Sequence, residues 1–251
     1  MNHTELVERW DRQQAAYIAH REARFEVMLG ALELAVGTSF TAVDLACGPG
    51  SLASRLLSRF PEARVIAIDY DPMLLALARK HLAGFGDRVQ IVDADLVDPL
   101  WSAQLRDQLE DRPQAVVSTT ALHWLLPAQL VDVYGQVRSL LARGGLLLNG
   151  DHFRFDERTQ HIASWAARHD SATQKRSFVE GADEWDAWWN LLGAHPDIGP
   201  LQGERTRRFA GRDASPPTTV KFQLAALRQA GFAESGTVWQ LFDDYVVYGV
   251  A

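Results

Sequence analysis

The chain has 251 residues, 47% of them hydrophobic and 23% charged, with a formal net charge of −7. That composition excludes a disordered chain, no apolar run approaches the roughly 18 residues needed to cross a bilayer, and the acidic balance argues against nucleic acid as a partner. A single cysteine, Cys47, rules out an internal disulfide framework and a cysteine-based zinc site.

The first predicted element is a helix over residues 5–36. Val7, Trp10, Gln14, Tyr17, Ile18, Phe25, Met28, Leu29 and Leu32 give it one apolar face, and Gly37 stops it. Residues 41–46 form a short apolar strand that runs into Cys47-Gly48-Pro49-Gly50. A helix over 51–60 follows, then a strand over 64–69 and a helix over 72–82 with Pro72 in its first turn. Strands at 89–92 and 115–118, a helix at 128–141 and a strand at 146–149 complete the alternation. Apolar strands alternating with helices imply a doubly wound parallel sheet covered on both faces. After Gly150 the alternation breaks. Residues 151–218 read as an inserted cap, with helices near 156–174 and 181–193 and a loop-rich segment holding Pro196, Pro200, Pro216 and Pro217. The tail returns to the sheet with a helix at 219–230 and strands at 237–242 and 245–250. The Asp243–Asp244 pair joins these strands as a hairpin and leaves the last one antiparallel. Residues 1–150 and 219–251 are therefore expected to form one domain, and 151–218 a cap.

The chemistry concentrates in the loop after the first strand. Gly48 and Gly50 let a ligand approach the backbone closely, and the next helix offers free N–H groups at its start. Asp69, at the end of the second strand, is placed to accept both hydroxyls of a ribose. Residues 48–53 also satisfy the G-x-G-x-x-G/A pattern of dinucleotide folds, so a nicotinamide oxidoreductase is one reading. Asp44 argues against it. At the mouth of the first strand it would repel a pyrophosphate and attract an ammonium or sulfonium group.

The run Asp44-Leu45-Ala46-Cys47-Gly48-Pro49-Gly50 resembles the first motif of the class I S-adenosylmethionine-dependent methyltransferases, with Ala46 where that family has its first glycine. Ile68-Asp69-Tyr70-Asp71 resembles the family's ribose-binding strand end. Asp93-Ala94-Asp95-Leu96 resembles the adenine-binding segment, with Asp95 at the exocyclic amine and Leu96 against the ring. Val117-Ser118-Thr119-Thr120, continuing to His123 and Trp124, resembles the strand end that borders the methyl group. The resemblance implies a Rossmann-like seven-stranded sheet with a reversed last strand. It implies S-adenosylmethionine as cofactor, held by Asp44, Ala46, Gly48, Gly50, Asp69, Tyr70, Asp95, Leu96 and Ser118. Related enzymes fold an N-terminal helix over the cofactor, which nominates Arg24 or Arg21 for the methionine carboxylate and Tyr17 for the substrate side.

His123 is the candidate catalytic residue, placed past the fourth strand to take a proton from a hydroxyl or to bond a carboxylate. His152 follows the fifth strand and faces the same crevice. His152, His161 and His169 lack metal-ligand spacing, so no metal site is expected. Eight tryptophans stand where about three would be ordinary. Trp185, Trp188 and Trp189 share one helix face, where they either form the cap's own core or line a pocket beside Trp124. Arg205, Arg207 and Arg208 form a basic cluster that is either a solvated face or a receiver for an acidic acceptor.

The overall pattern is most similar to small-molecule methyltransferases of the trans-aconitate and malonyl-thioester O-methylating type. The cap also resembles that of carboxy-S-adenosylmethionine synthases. The expected activity is methyl transfer to an oxygen or nitrogen of a small molecule, by a monomer or homodimer with no membrane or nucleic-acid partner. The alternatives are a nicotinamide-dependent oxidoreductase and a non-catalytic cofactor-binding protein. The chain's start lacks the basic-then-apolar layout of a signal peptide, so a cytoplasmic location is expected.

Overall fold

The computed structural model describes residues 2–251. Its sheet has seven strands in the order β3-β2-β1-β4-β5-β7-β6. These are β1 (Thr41–Leu45), β2 (Arg64–Asp69), β3 (Val89–Asp93), β4 (Ala115–Thr119), β5 (Leu146–His152), β6 (Glu234–Leu241) and β7 (Asp244–Val250). The first five run parallel, and β7 lies antiparallel between β5 and β6. Strand order reverses between β1 and β4, and ligands of doubly wound sheets bind outside the carboxyl ends at such a switch point.

Ten α-helices accompany the strands among the described residues: α1 (His3–Tyr17), α2 (Arg21–Val36), α3 (Ser51–Arg59), α4 (Pro72–His81), α5 (Trp101–Arg106), α6 (Pro127–Leu140), α7 (Gln160–Val179), α8 (Trp185–Gly193), α9 (Gln202–Phe209) and α10 (Val220–Gln229). Alternate strand residues feed the two faces of the sheet. Val43, Leu45, Ile66 and Ile68 pack toward α5, α6 and α10, beside Trp101, Tyr134 and Leu227. Ala42, Val65, Ala67 and Leu148 pack toward α2 and α3, beside Phe25, Met28, Leu52 and Leu56. Helix α4 starts cleanly because the Asp71 carboxylate accepts from the amides of Met73 and Leu74 and Pro72 fixes the first turn.

A third core joins the cap to the rest. Leu6 and Val7 of α1, Met73, Leu74 and Leu77 of α4, and Trp188, Leu192 and Ile198 of the cap form one buried cluster. Trp188 is fully enclosed, and its indole N–H donates to the Leu6 carbonyl at 3.1 Å. Deleting such a ring costs about 3–5 kcal/mol.

The boundaries differ from the sequence pattern in several places: β5 runs on to His152, so that residue ends the strand instead of following it, α5 is an unexpected helix, and α8 begins at Trp185 rather than at 181. The helix expected over 5–36 is two helices, because the chain breaks at Ile18–His20 with His20 in the left-handed region at φ 58°. The break lets Phe25 and Met28 face the sheet while Leu6 and Val7 face the cap. The cap's expected helix near 156–174 is displaced to Gln160–Val179, and its expected loop contains a third helix, α9, which buries no residue. The sheet's last hairpin begins earlier than 237, at Glu234. Among the described residues no helix is long and apolar enough to cross a membrane.

Candidate active site

The glycine loop leaves β1 at the switch point. Leu45 is paired with Ile68 of β2 on one side and Ser118 of β4 on the other. The amide of Cys47 donates to the Ile68 carbonyl, and that of Gly50 donates to the Cys47 carbonyl. Gly48 and Gly50 both have positive φ, 57° and 89°. A Cβ at Gly50 would meet Leu82 Cδ1 at 2.7 Å, so only glycine fits. At Gly48 the nearest atom to such a Cβ is Cζ2 of Trp10, 3.9 Å away, an ordinary contact, so the positive φ rather than lack of space is what favours glycine there. Ala46 also sits at positive φ, 52°, the conformation for which related loops use glycine.

Two carboxylates lie beneath this loop. Asp69 accepts from the amides of Gly48 (2.7 Å), Tyr70 (2.7 Å) and Asp71 (2.8 Å). Burial nevertheless lifts its pKa to about 6. Three bonds leave one of its four acceptor positions for a ribose hydroxyl. Asp44 is 1% exposed and neither of its oxygens has a hydrogen-bond partner. Burial pushes its pKa up to about 8, with the Asp69 charge adding; the Ala53 amide nearby offsets part, although its geometry falls short of a full hydrogen bond. A buried, unpartnered carboxylate is costly unless a cation meets it. A ligand carrying an ammonium and a sulfonium fits this donor set, and a pyrophosphate does not.

Beyond β2 and β3 opens a cleft of about 700 Å³ lined by Tyr70, Asp93, Ala94, Asp95, Trp101 and Arg208, among others. Asp95 accepts from the Val97 amide through Oδ1 and pairs with Arg212 through Oδ2. Leu96 is buried in the core beside Trp101. Helix α9 closes over this rim. Arg208 makes a bidentate pair with Asp93 (2.6 and 2.8 Å) and donates to the Tyr70 carbonyl (2.9 Å). Arg205 pairs with Asp71 and lies 3.9 Å over the Trp189 ring. The guanidiniums of Arg208 and Arg212 lie 5.0 and 4.7 Å from the Tyr70 ring centre. Two of the three arginines in the basic cluster, Arg205 and Arg208, are thus joined to carboxylates of this rim.

On the other side of the switch point, His123 lies in a 3-10 turn, Leu122–Trp124, just past β4. Its Nδ1 is 2.8 Å from Asp151 Oδ1, and its amide donates to Asp151 Oδ2 at 3.1 Å. Asp151 is fully buried on β5. Burial raises its pKa, but the His123 ring and the Arg24 guanidinium outweigh that and hold it below the usual value. An ionised Asp151 makes Nδ1 the donor and leaves Nε2 of His123 with a free lone pair. The His123 side chain is one-third exposed, and Trp124, largely exposed, lies beside it at 4.9 Å. His152 stands 3.5 Å from Asp243 through Nδ1, while its Nε2 is buried without a partner.

Two expected cofactor contacts are otherwise engaged. Ser118 is fully buried and donates to the Leu45 carbonyl at 2.9 Å, tying β4 to β1. Arg24 is fully buried, pairing with Asp244 and donating to Thr119 and Thr120. Its guanidinium braces the ends of β4 and β7 instead of facing the glycine loop. Arg21 likewise pairs with Asp11.

The aromatic side chains sort into packing and lining. Trp188 is core. Trp10 of α1 lies at the centre of its neighbours, 4.6 Å from Trp188, 6.1 Å from Trp185 and 6.4 Å from Trp189. Tyr17 accepts from the Trp185 amide at 3.2 Å and packs edge-on against Phe178. Trp10 packs against the third core, as its place on an apolar helix face implies, and also comes beside the glycine loop, which the sequence did not signal. Its neighbour Gly48 belongs to a loop 38 positions later.

Residues 42–145 match a family model described as a methyltransferase domain. A trans-aconitate 2-methyltransferase of Methylobacterium nodulans is 29% identical over 196 residues, 75% of this chain and 70% of that protein. A trans-aconitate 2-methyltransferase of an Acidovorax species is 33% identical over 105 residues, 42% of this chain and 35% of that protein. Human N-acetylserotonin methyltransferase, solved with S-adenosylmethionine, superposes with a TM-score of 0.56 at 16% identity. That match covers 98% of this chain but 56% of the human one, and it speaks to the fold alone. The positive-φ glycine loop, the unpartnered Asp44 and these likenesses agree: residues 42–145 are a methyltransferase domain, and S-adenosylmethionine is the cofactor.

Proposed function

We propose that this protein methylates an oxygen of a small-molecule acceptor, a hydroxyl, with His123 as general base and Asp151 as the group that orients it. The observation that carries this reading is the His123–Asp151 pair at the switch point, across from the glycine loop. S-adenosylmethionine supplies a methyl carbon already activated by its sulfonium. The chain's own work is to hold the cofactor, align the acceptor and exclude water. Asp44 meets positive charge below the loop, and Asp69 takes a ribose hydroxyl. Asp95 and Tyr70 stand at the adenine side, with Leu96 behind them. Nε2 of His123 takes the acceptor's proton as the new O–C bond forms, and the Asp151 carboxylate stabilises the resulting imidazolium. Trp124, Tyr17 and His152 surround the acceptor side together with Trp185 and Trp189 of a cap formed by residues 151–218.

A second reading is methylation of a carboxylate, favoured by the likeness to trans-aconitate 2-methyltransferases over 75% of the chain. A carboxylate needs no base, and a protonated His123 would then bind it.

Calorimetry with S-adenosylhomocysteine, followed by methyl transfer to phenols, alcohols and carboxylates, tests both readings. For a hydroxyl acceptor, His123→Asn lowers turnover by about 100-fold or more while product affinity changes little. Loss of cofactor binding with NAD binding in its place removes the whole assignment. Unchanged turnover of a hydroxyl acceptor in the variant removes His123 as base.

A further inference from the structure

A cluster outside this site brings together two histidines and a carboxylate from distant parts of the sequence. His3 opens α1, and His195 and Asp197 lie in the turn after α8. One ligand atom from each lies within 4.8 Å of the others. His3 Nε2 is 3.8 Å from Asp197 Oδ2, close to the separation of about 3.4 Å for two ligands at 2.1 Å on a tetrahedral metal. That Nε2 is buried and has no hydrogen-bond partner. The two imidazole rings are 4.7 Å apart and tilted by 52°.

We propose that His3, His195 and Asp197 form a divalent-cation site of the zinc class that clamps the N-terminal helix to the cap. Two imidazoles and one carboxylate are a donor set this ion accepts, with water completing four-coordination. The Nε2 of His3 is buried and makes no competing hydrogen bond, so its lone pair is available to a metal. Lys80 on α4 and the His195 ring act on His3 in the sense that opposes a cation, and the Asp197 carboxylate acts in the opposite sense. The competing contact is long: the Asp197 amide donates to His195 Nδ1 at 3.3 Å. Metal on either ring nitrogen gives that bond up, Nδ1 by using its lone pair and Nε2 by requiring the other tautomer. The site joins the start of α1 to the turn beside Ile198, both edges of the third core, so the ion would stabilise the packing of cap on body.

The clamp is tested on tag-free protein stripped with EDTA and titrated with ZnCl2, by calorimetry and thermal unfolding. The expected result is one Zn2+ per chain and a rise in Tm of roughly several degrees. Asp197→Asn and His3→Gln, both at partly exposed side chains, fold normally and lose affinity by roughly tenfold or more. No change in Tm with zinc, or equal binding by both variants, overturns the proposal. Neither readout depends on methyl transfer.

Discussion

Asp44 sets the pH behaviour of the ligand-free protein. Its folded pKa, about 8, is far above that of an unfolded aspartate near 3.9. Between those values the folded state holds a proton that the unfolded state has released. Stability from this group is therefore full below about pH 4 and falls as pH rises through 8. Asp69, at about 6, adds loss of the same sign over a lower window. Asp44→Asn is expected to flatten the fall of Tm between pH 6 and 8, and to weaken S-adenosylhomocysteine by about tenfold or more through loss of a charged partner. Thermal melts across that range, with calorimetry at pH 7.5, check both; a slope unchanged by the substitution would refute the account. That Asp44, Gly48, Gly50 and Asp69 come together at one loop was legible because strand, loop and helix follow one another directly; the partners of Ser118 and Arg24 were not. A short polar side chain at a strand end reads the same whether it faces a ligand or a neighbouring carbonyl. Arg24 is claimed by Asp244, 220 positions away.

Among the elements, most of the β-strands were legible as short continuous apolar runs because both faces of the sheet are covered, and α3, α4 and α6 because burial on one face imposes a period of 3.6. Helix α9 was hidden for the opposite reason. It buries nothing, and Arg205 and Arg208 hold it to Asp71 and Asp93, beyond the ends of strands 115 to 134 positions away. Just past its end, Arg212 pairs with Asp95, the carboxylate proposed for the adenine side. Arg212→Ala is expected to speed association of S-adenosylhomocysteine severalfold, as read by surface plasmon resonance. Stability should change by no more than about 1 kcal/mol, since the pair is partly exposed. An association rate equal to that of the unmodified protein would take Arg212 off the entry path.

Across the whole molecule, α1 links two regions: Trp10 reaches the glycine loop, and Leu6 and Val7 pack with α4 and α8 in the third core. The molecule thereby carries its own optical probe. Trp10 lies beside Gly48 and within 6.4 Å of three other indoles, close enough for excitation to pass among them. Filling the loop should quench or shift the emission of the whole cluster without any label. Trp10→Phe should abolish most of that signal, whereas Trp165→Phe, at a half-exposed position elsewhere in the cap, should leave it intact. A fluorescence titration would then follow loading of the loop directly, before any acceptor is known.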